Sequence, residues 1–208
     1  MRQDPLTPAQ RKLLEKLKGQ KAAEGFYLAG GSALALALEH RRSADHDFFR
    51  RETFEPTRLR ADLAETCGAL KPLQIEKGTL TVEAEGVKAS FFHYPYPLLK
   101  PLIEREGLFP MASLLDIALM KLTAIADRGV RKDFIDLHAI LHAGATLDEV
   151  FAALPGKFPG ANYQRYHFLK ALTYFEDAKE EPLVFLGKPP DWEEIMAFFR
   201  REATRVAL

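Results

Sequence analysis

Between Phe26 and Phe49 the chain reads as five parts in a fixed order: an apolar strand (Phe26 to Ala29), a glycine turn (Gly30, Gly31) with Ser32, a short helix (Ala33 to Glu39), a basic loop (His40, Arg41, Arg42, Ser43) and a second strand from Ala44 to Phe49 that carries Asp45 and Asp47. Glycines between a strand and a helix let backbone amides approach an anion, and the helix aims its positive end at the same place. Residues two apart on a strand leave one face of the sheet, so the Asp45 and Asp47 carboxylates are candidate ligands of one divalent ion. Oxygen donors suit Mg2+ or Mn2+, with substrate phosphates completing the shell. Taken singly, a Gly-Gly is a common turn and an Asp-x-Asp a common solvated strand edge. The ordered combination favours a phosphate and metal site at neighbouring strand ends.

The rest of the sequence supplies a scaffold. Thr7-Pro8-Ala9-Gln10 caps a helix to about Lys18, and Glu55-Pro56 starts another through about Glu65 with Leu59, Leu63 and Cys67 as a buried stripe. Three β-type runs follow, Pro72 to Glu76, Thr79 to Glu83 and Val87 to His93, separated by Lys77-Gly78 and Glu85-Gly86, which is the pattern of an antiparallel meander. Beyond Tyr94-Pro95-Tyr96-Pro97 the periodicity is helical: Leu114 to about Arg128 after Ser113, about Asp133 to His142, a capping box at Thr146 to Glu149, about Tyr163 to Lys179, and Asp191 to the end. The expected fold is α+β, a mixed sheet with flanking helices over residues 1–100, followed by an all-helical region over 101–208 that completes the cleft.

Composition narrows the function classes. With 29 basic and 29 acidic residues among 208, no global field attracts nucleic acid, so a polyanion must be held by local patches. Cys67 is the sole cysteine, which excludes an intrachain disulfide and fits a reducing compartment. The amino terminus lacks an apolar signal region and no run of about 18 apolar residues occurs. A cytoplasmic protein without a membrane partner is expected.

The order of parts is similar to the nucleotidyltransferase fold of the DNA polymerase β-like superfamily. Three blocks, Gly30 to Leu36, Arg42 to Phe49 and Lys121 to Leu137, resemble more closely the AbiEii/AbiGii-type toxin family, over about residues 20–142. The resemblance implies Mg2+-dependent (or Mn2+-dependent) transfer of a nucleoside monophosphate from a nucleoside triphosphate to an acceptor, with a transfer RNA, another RNA or a protein as acceptor and a cognate antitoxin as partner. Carried over, Gly30, Gly31 and Ser32 cradle the triphosphate, Asp45 and Asp47 hold the metal, Lys121 steadies the phosphates, and Asp133 assists the acceptor or orients Lys121. The chemistry is consistent, since such transfer needs mainly positioning and charge neutralisation.

The superfamily carries a third carboxylate on a later strand, and the register places Ser90 there. Ser90 is a poor ligand, and Glu83 is the nearest alternative acid. A catalytically impaired nucleotide- or RNA-binding protein of the same fold, and a small-molecule nucleotidyltransferase, therefore stay open. Arg42 and Ser43 are nucleotide-binding candidates beside Arg41, with a solvated loop and a turn cap as their alternatives. His46 alternates to the opposite face from the metal site. His138 and His142, four apart on a helix, lack a third ligand for zinc. The aromatics Tyr163, Tyr166, His167, Phe168, Tyr174 and Phe175 have either a base-stacking or a core-packing use, helical spacing favouring the core.

Overall fold

Thr7 caps the first helix, α1 (Pro8–Leu17), through a reciprocal pair of bonds: its hydroxyl accepts from Gln10 N, and the Gln10 side chain accepts from Thr7 N. The Gln10 Nε2 then donates to the carbonyls of Ser43 and Ala44 at 2.6 and 3.0 Å, so the cap also anchors the loop that leads into Asp45. This computed structural model of the chain describes residues 4–161 and 164–207.

Five strands form one mixed sheet: β1 (Tyr27–Ala29), β2 (His46–Arg50), β3 (Leu70–Glu76), β4 (Thr79–Ala84) and β5 (Val87–His93), in the order β1-β2-β5-β4-β3. Only the β2–β5 pair is parallel. Alternation assigns the two faces. Phe48 and Phe91 stack at 4.8 Å within the core, beside Leu28, Leu80 and Val82, whereas Asp47, Phe49, Ser90 and Phe92 point to the other side. The expected meander is present, with β3 as an outer edge. Pro72, which has no N–H to donate, adjoins a register shift before Gln74, and Leu73 and Ile75 remain exposed there.

Helices α2 (Gly30–Leu38) and α3 (Pro56–Cys67) belong to the sheet half, α3 packing on β3 and β4. The carboxy half contributes α4 (Leu114–Asp127), α5 (Arg131–His142), α6 (Leu147–Lys157), α7 (Arg165–Thr173) and α8 (Trp192–Ala207). Ser113 and Thr146 cap α4 and α6 as their side chains allow. One buried apolar cluster runs from Leu6 to Val206 through both halves. A second tie between elements is ionic: the buried Lys157 Nζ donates to Asp116 Oδ1 and to the Pro97 carbonyl, each at 2.8 Å, and Asp116 also accepts from the amides of Leu99 and Lys100. This α+β architecture agrees with the sequence expectation.

Among the boundaries that differ from it, three shape the surroundings of the site. Helix α2 begins at Gly30 instead of Ala33, because the two glycines form its first turn. Strand β2 begins at His46 instead of Ala44, because its ladder to β1 starts at Asp47 and its ladder to β5 at His46, leaving Asp45 just ahead of the sheet. Helix α7 stops at Thr173 instead of Lys179; Tyr163, its expected start, lies outside the described residues. The acidic stretch that follows has little to bury, and the chain crosses instead to the basic loop, where Arg42 N donates to Val184 O (2.8 Å) and Leu186 N to His40 O (3.2 Å).

Candidate nucleotide-transfer site

The glycine turn and the two aspartates meet at a distance that only glycine tolerates. Gly30 has φ +64°, and a Cβ built on it would lie 2.9 Å from Asp47 Oδ2; a Cβ on Gly31 would lie 2.8 Å from Ser43 Oγ and 3.0 Å from Arg41 Nη2. The first-turn amides of α2 have no acceptor within their own helix and lie at its positive end. The Ser32 hydroxyl, in contrast, is buried and engaged: it donates to the Asp45 carbonyl and contacts His46 Nδ1 at 3.0 Å. Its side chain fixes the Asp45 backbone and is not free for a phosphate, so any part of Ser32 in the expected cradle falls to its amide.

Asp47 is partly buried where the sheet meets the helical half, and Asp45, its side chain 40% exposed, accepts from Lys88 Nζ through Oδ2 at 3.2 Å. Burial pushes the Asp47 carboxyl above its ordinary value; the Lys121 ammonium partly opposes this and the Asp45 charge adds to it. His46 points into the core, where its Nε2 approaches Gln10 O (3.1 Å) and burial lowers its pKa. Two carboxylates on one wall, one of them partly buried beside another negative charge, are an oxygen donor set that suits a divalent cation. Metal held by Asp45 and Asp47 fits the residues present. Among the described residues no group of three or more His, Cys, Asp or Glu side chains is arranged to hold a metal.

Helices α4 and α5 supply the positive charge. Lys121 lies within α4 and Arg128 caps its carboxy end, and Gly129 (φ +55°) reverses the chain so that α5 returns against them. Asp133, buried in the first turn of α5, accepts from Lys121 Nζ (2.8 Å) and Arg128 Nε (3.0 Å). Asp136, one turn on, lies 2.7 Å from the same Lys121 Nζ, accepts Arg41 through both Nε and Nη2 at 2.7 Å, and meets His40 Nε2 at 2.8 Å. Burial alone would lower the Lys121 pKa, but Asp136 and Asp133 outweigh it and hold the ammonium above its ordinary range. Burial would likewise raise Asp136, yet Lys121, His40 and Arg41 hold it well below the carboxylate range.

Two clefts, of about 460 and 490 Å³, share a wall of Asp47, Lys121 and Arg128. The first is floored by Phe49, Phe92 and Tyr94 under Met120 of α4. The second is polar, with Gly31, Arg42, Ser43, Asp45 and Lys132, and is closed on one side by Glu181 to Val184. Apolar ring-sized space and a basic, glycine-lined channel thus meet at one carboxylate, Asp47.

The structure brings Gly30, Gly31, Arg42, Ser43, Asp45, Asp47, Lys121 and Asp133 to these clefts. Ser90 is the Cα partner of Asp47, as the register reading had it, and its hydroxyl lies 3.2 Å from Thr81 Oγ1. Arg41 is no solvated loop residue; it is buried on Asp136. Asp136, three from Asp133 on one helix face and within the Lys121 to Leu137 block, had no assigned role in the sequence reading, and the segment Glu181 to Val184 escaped it. His138 and His142 lie against each other with ring centroids 3.9 Å apart, and Phe198 packs on both, edge-on to His138, away from the clefts. Of the aromatic stripe, Phe168 and Phe175 pack inward, while Tyr166 and Tyr174 are exposed.

A sheet with a glycine-started helix, an Asp-x-Asp strand and a facing lysine on a helical half defines a nucleotidyltransferase, and the comparisons agree. The family model described as "Nucleotidyl transferase AbiEii toxin, Type IV TA system" matches residues 86–205. The chain belongs to this AbiEii nucleotidyltransferase family. It is 37% identical over 202 residues, 95% of each chain, to the uncharacterized protein aq_aa25 of Aquifex aeolicus. Its fold is similar to MenT4, a nucleotidyltransferase toxin of Mycobacterium tuberculosis (TM-score 0.60, 18% identity, 96% of this chain and 82% of that one). It is also similar to JHP933 of Helicobacter pylori (TM-score 0.53, 17% identity, 94% and 89%). No helix among the described residues is long and apolar enough to cross a membrane.

Proposed function

We propose that this nucleotidyltransferase is a Mg2+-dependent toxin of the cytoplasm that moves a nucleoside monophosphate from a nucleoside triphosphate to a hydroxyl of an RNA, with a transfer RNA as the favoured acceptor and a cognate antitoxin as its partner. The acceptor oxygen bonds to the α-phosphorus as the bond from that phosphorus to the pyrophosphate oxygen breaks, and the hydroxyl proton passes to solvent. The observation that carries the proposal is the junction of the two clefts, where Asp47 stands against Gly30 and beside Lys121 and Arg128.

Each residue has a role its surroundings support. Asp45 and Asp47 hold the metal, which supplies charge neutralisation to the phosphates. The first-turn amides of α2, with Ser43 and Arg42, face the triphosphate in the polar cleft. Lys121 offers a fixed ammonium to the same phosphates, and its pairing with Asp133 and Asp136 keeps it charged and in place. Asp133 is accordingly an orienting residue for Lys121 and Arg128. The ring-lined cleft suits a nucleobase.

Incubation with Mg2+, each α-labelled nucleoside triphosphate in turn and total cellular RNA tests this. Label is expected in one RNA size class and absent with the Asp45→Ala/Asp47→Ala variant. Label that stays unincorporated with every nucleotide, or that persists in the variant, contradicts the proposal.

A further inference from the structure

Across three strands the cleft face carries two rows of side chains. In one, Asp47 of β2 stands beside Ser90 of β5 and Thr81 of β4; in the other, Asp45, just ahead of β2, stands beside Lys88 of β5, which is opposite Glu83 of β4. Directly opposed residues share a face, so Glu83 does lie on the side of the site. Lys88, however, stands between it and Asp45, and Lys88 Nζ has reached Asp45 Oδ2 at 3.2 Å. Neither Ser90, engaged with Thr81 (3.2 Å), nor Glu83 is therefore a third ligand beside the two aspartates.

From these rows we infer that Lys88 supplies the positive charge that a second metal ion would otherwise bring, standing where a third carboxylate would hold that ion, and that the site works with one divalent ion and with Lys88 in addition to Lys121. The inference rests on the nucleotidyltransferase reading above. A lysine can take that place because the chemistry asks for charge near the reacting phosphate more than for any covalent step. Both members of the Lys88–Asp45 pair are about half exposed (49% and 40%), so the pair opens at little cost, and Asp45 is free to turn to the metal while Lys88 stays within reach of the phosphate or acceptor oxygen. Ser90 permits this arrangement, since an aspartate beside Asp47 would draw the ammonium away.

The test counts bound Mn2+ by electron paramagnetic resonance on the full chain with equimolar α,β-methylene analogues of the four nucleoside triphosphates, and measures pyrophosphate release with the natural nucleotides and total cellular RNA. The wild type is expected to bind one Mn2+ per chain, and Lys88→Met/Ser90→Asp to bind two. Lys88→Met alone is expected to keep analogue affinity within about twofold and to lose about 100-fold in turnover. Two Mn2+ per wild-type chain, or undiminished turnover in Lys88→Met, overturns the inference while leaving the transferase reading intact. Absence of any Mn2+-dependent analogue binding by the wild type overturns both.

Discussion

The Lys121 ammonium on α4 lies 2.7 Å from the Asp136 carboxylate on α5, and both side chains are buried. Asp136 also carries Arg41 and His40, so it ties the basic loop of the sheet half to the helical half at the point where the clefts meet. Removing one partner of a buried ion pair leaves an uncompensated charge, at a cost of about 3–5 kcal/mol. Asp136→Ala is expected to lose stability of that order in urea unfolding. Lys121→Met leaves Asp136 with Arg41 and Asp133 with Arg128; it is expected to cost less stability than Asp136→Ala while abolishing transfer. Equal stability losses in the two variants would contradict the assigned division of roles.

Gly30→Ala tests the close approach to Asp47. The added methyl meets Asp47 Oδ2 at 2.9 Å in a left-handed conformation, a strain of roughly 1–2 kcal/mol before any displacement of the carboxylate. The expected result is a modest loss of stability with loss of Mn2+-dependent nucleotide binding, measured by thermal unfolding and calorimetry. Retained nucleotide affinity would contradict the placement.

Asp47 is held above its ordinary value of 3.8 chiefly by burial. Because the folded pKa is raised, the stability tied to its protonated form is present at low pH and lost as pH rises through that value. In chelator at about pH 8, Asp47→Asn is expected to melt about 2–4 °C above the wild type, since it removes a charge the fold disfavours, while transfer disappears. A lower melting temperature would show that the carboxylate stabilises the metal-free protein.

His138 is lowered from 6.5 to about 4, first by burial and then by His142. With a depressed pKa, its contribution is complete above the unfolded value and fades as pH falls toward the folded one. Between about pH 7 and pH 5 the wild type is expected to lose about 2–4 °C in melting temperature, a figure kept small by partial exposure, and His138→Gln to lose less. Parallel pH profiles would contradict the assignment.

Which parts of this site were legible in the sequence follows from how far apart its members are. Gly30, Gly31, Asp45 and Asp47 sit within one strand–helix–strand unit that local periodicity marks, whereas Lys121 and Asp133, within one helix pair, were assigned through the family resemblance. Ser90 was found beside Asp47 because strand alternation carries across a ladder. The Arg41–Asp136 pair spans 95 residues, and no local pattern marks it. The face of Glu83 depended on strand order, which periodicity does not reveal. The Ser32 hydroxyl, expected at the phosphates, is taken by the Asp45 carbonyl, a contact set by the tight return of β2 past α2. Residues Glu181 to Val184 became a cleft wall only because α7 ends early and the chain crosses to His40 and Arg42.

The central claim is metal-dependent nucleotidyl transfer at Asp45 and Asp47, and the most direct measurement is pyrophosphate release by the purified protein with nucleoside triphosphates and cellular RNA while Mg2+ is titrated. Release that rises with Mg2+, stops in chelator and is missing in Asp47→Asn is the predicted result. Release that is indifferent to Mg2+, or that survives Asp47→Asn unchanged, would contradict it.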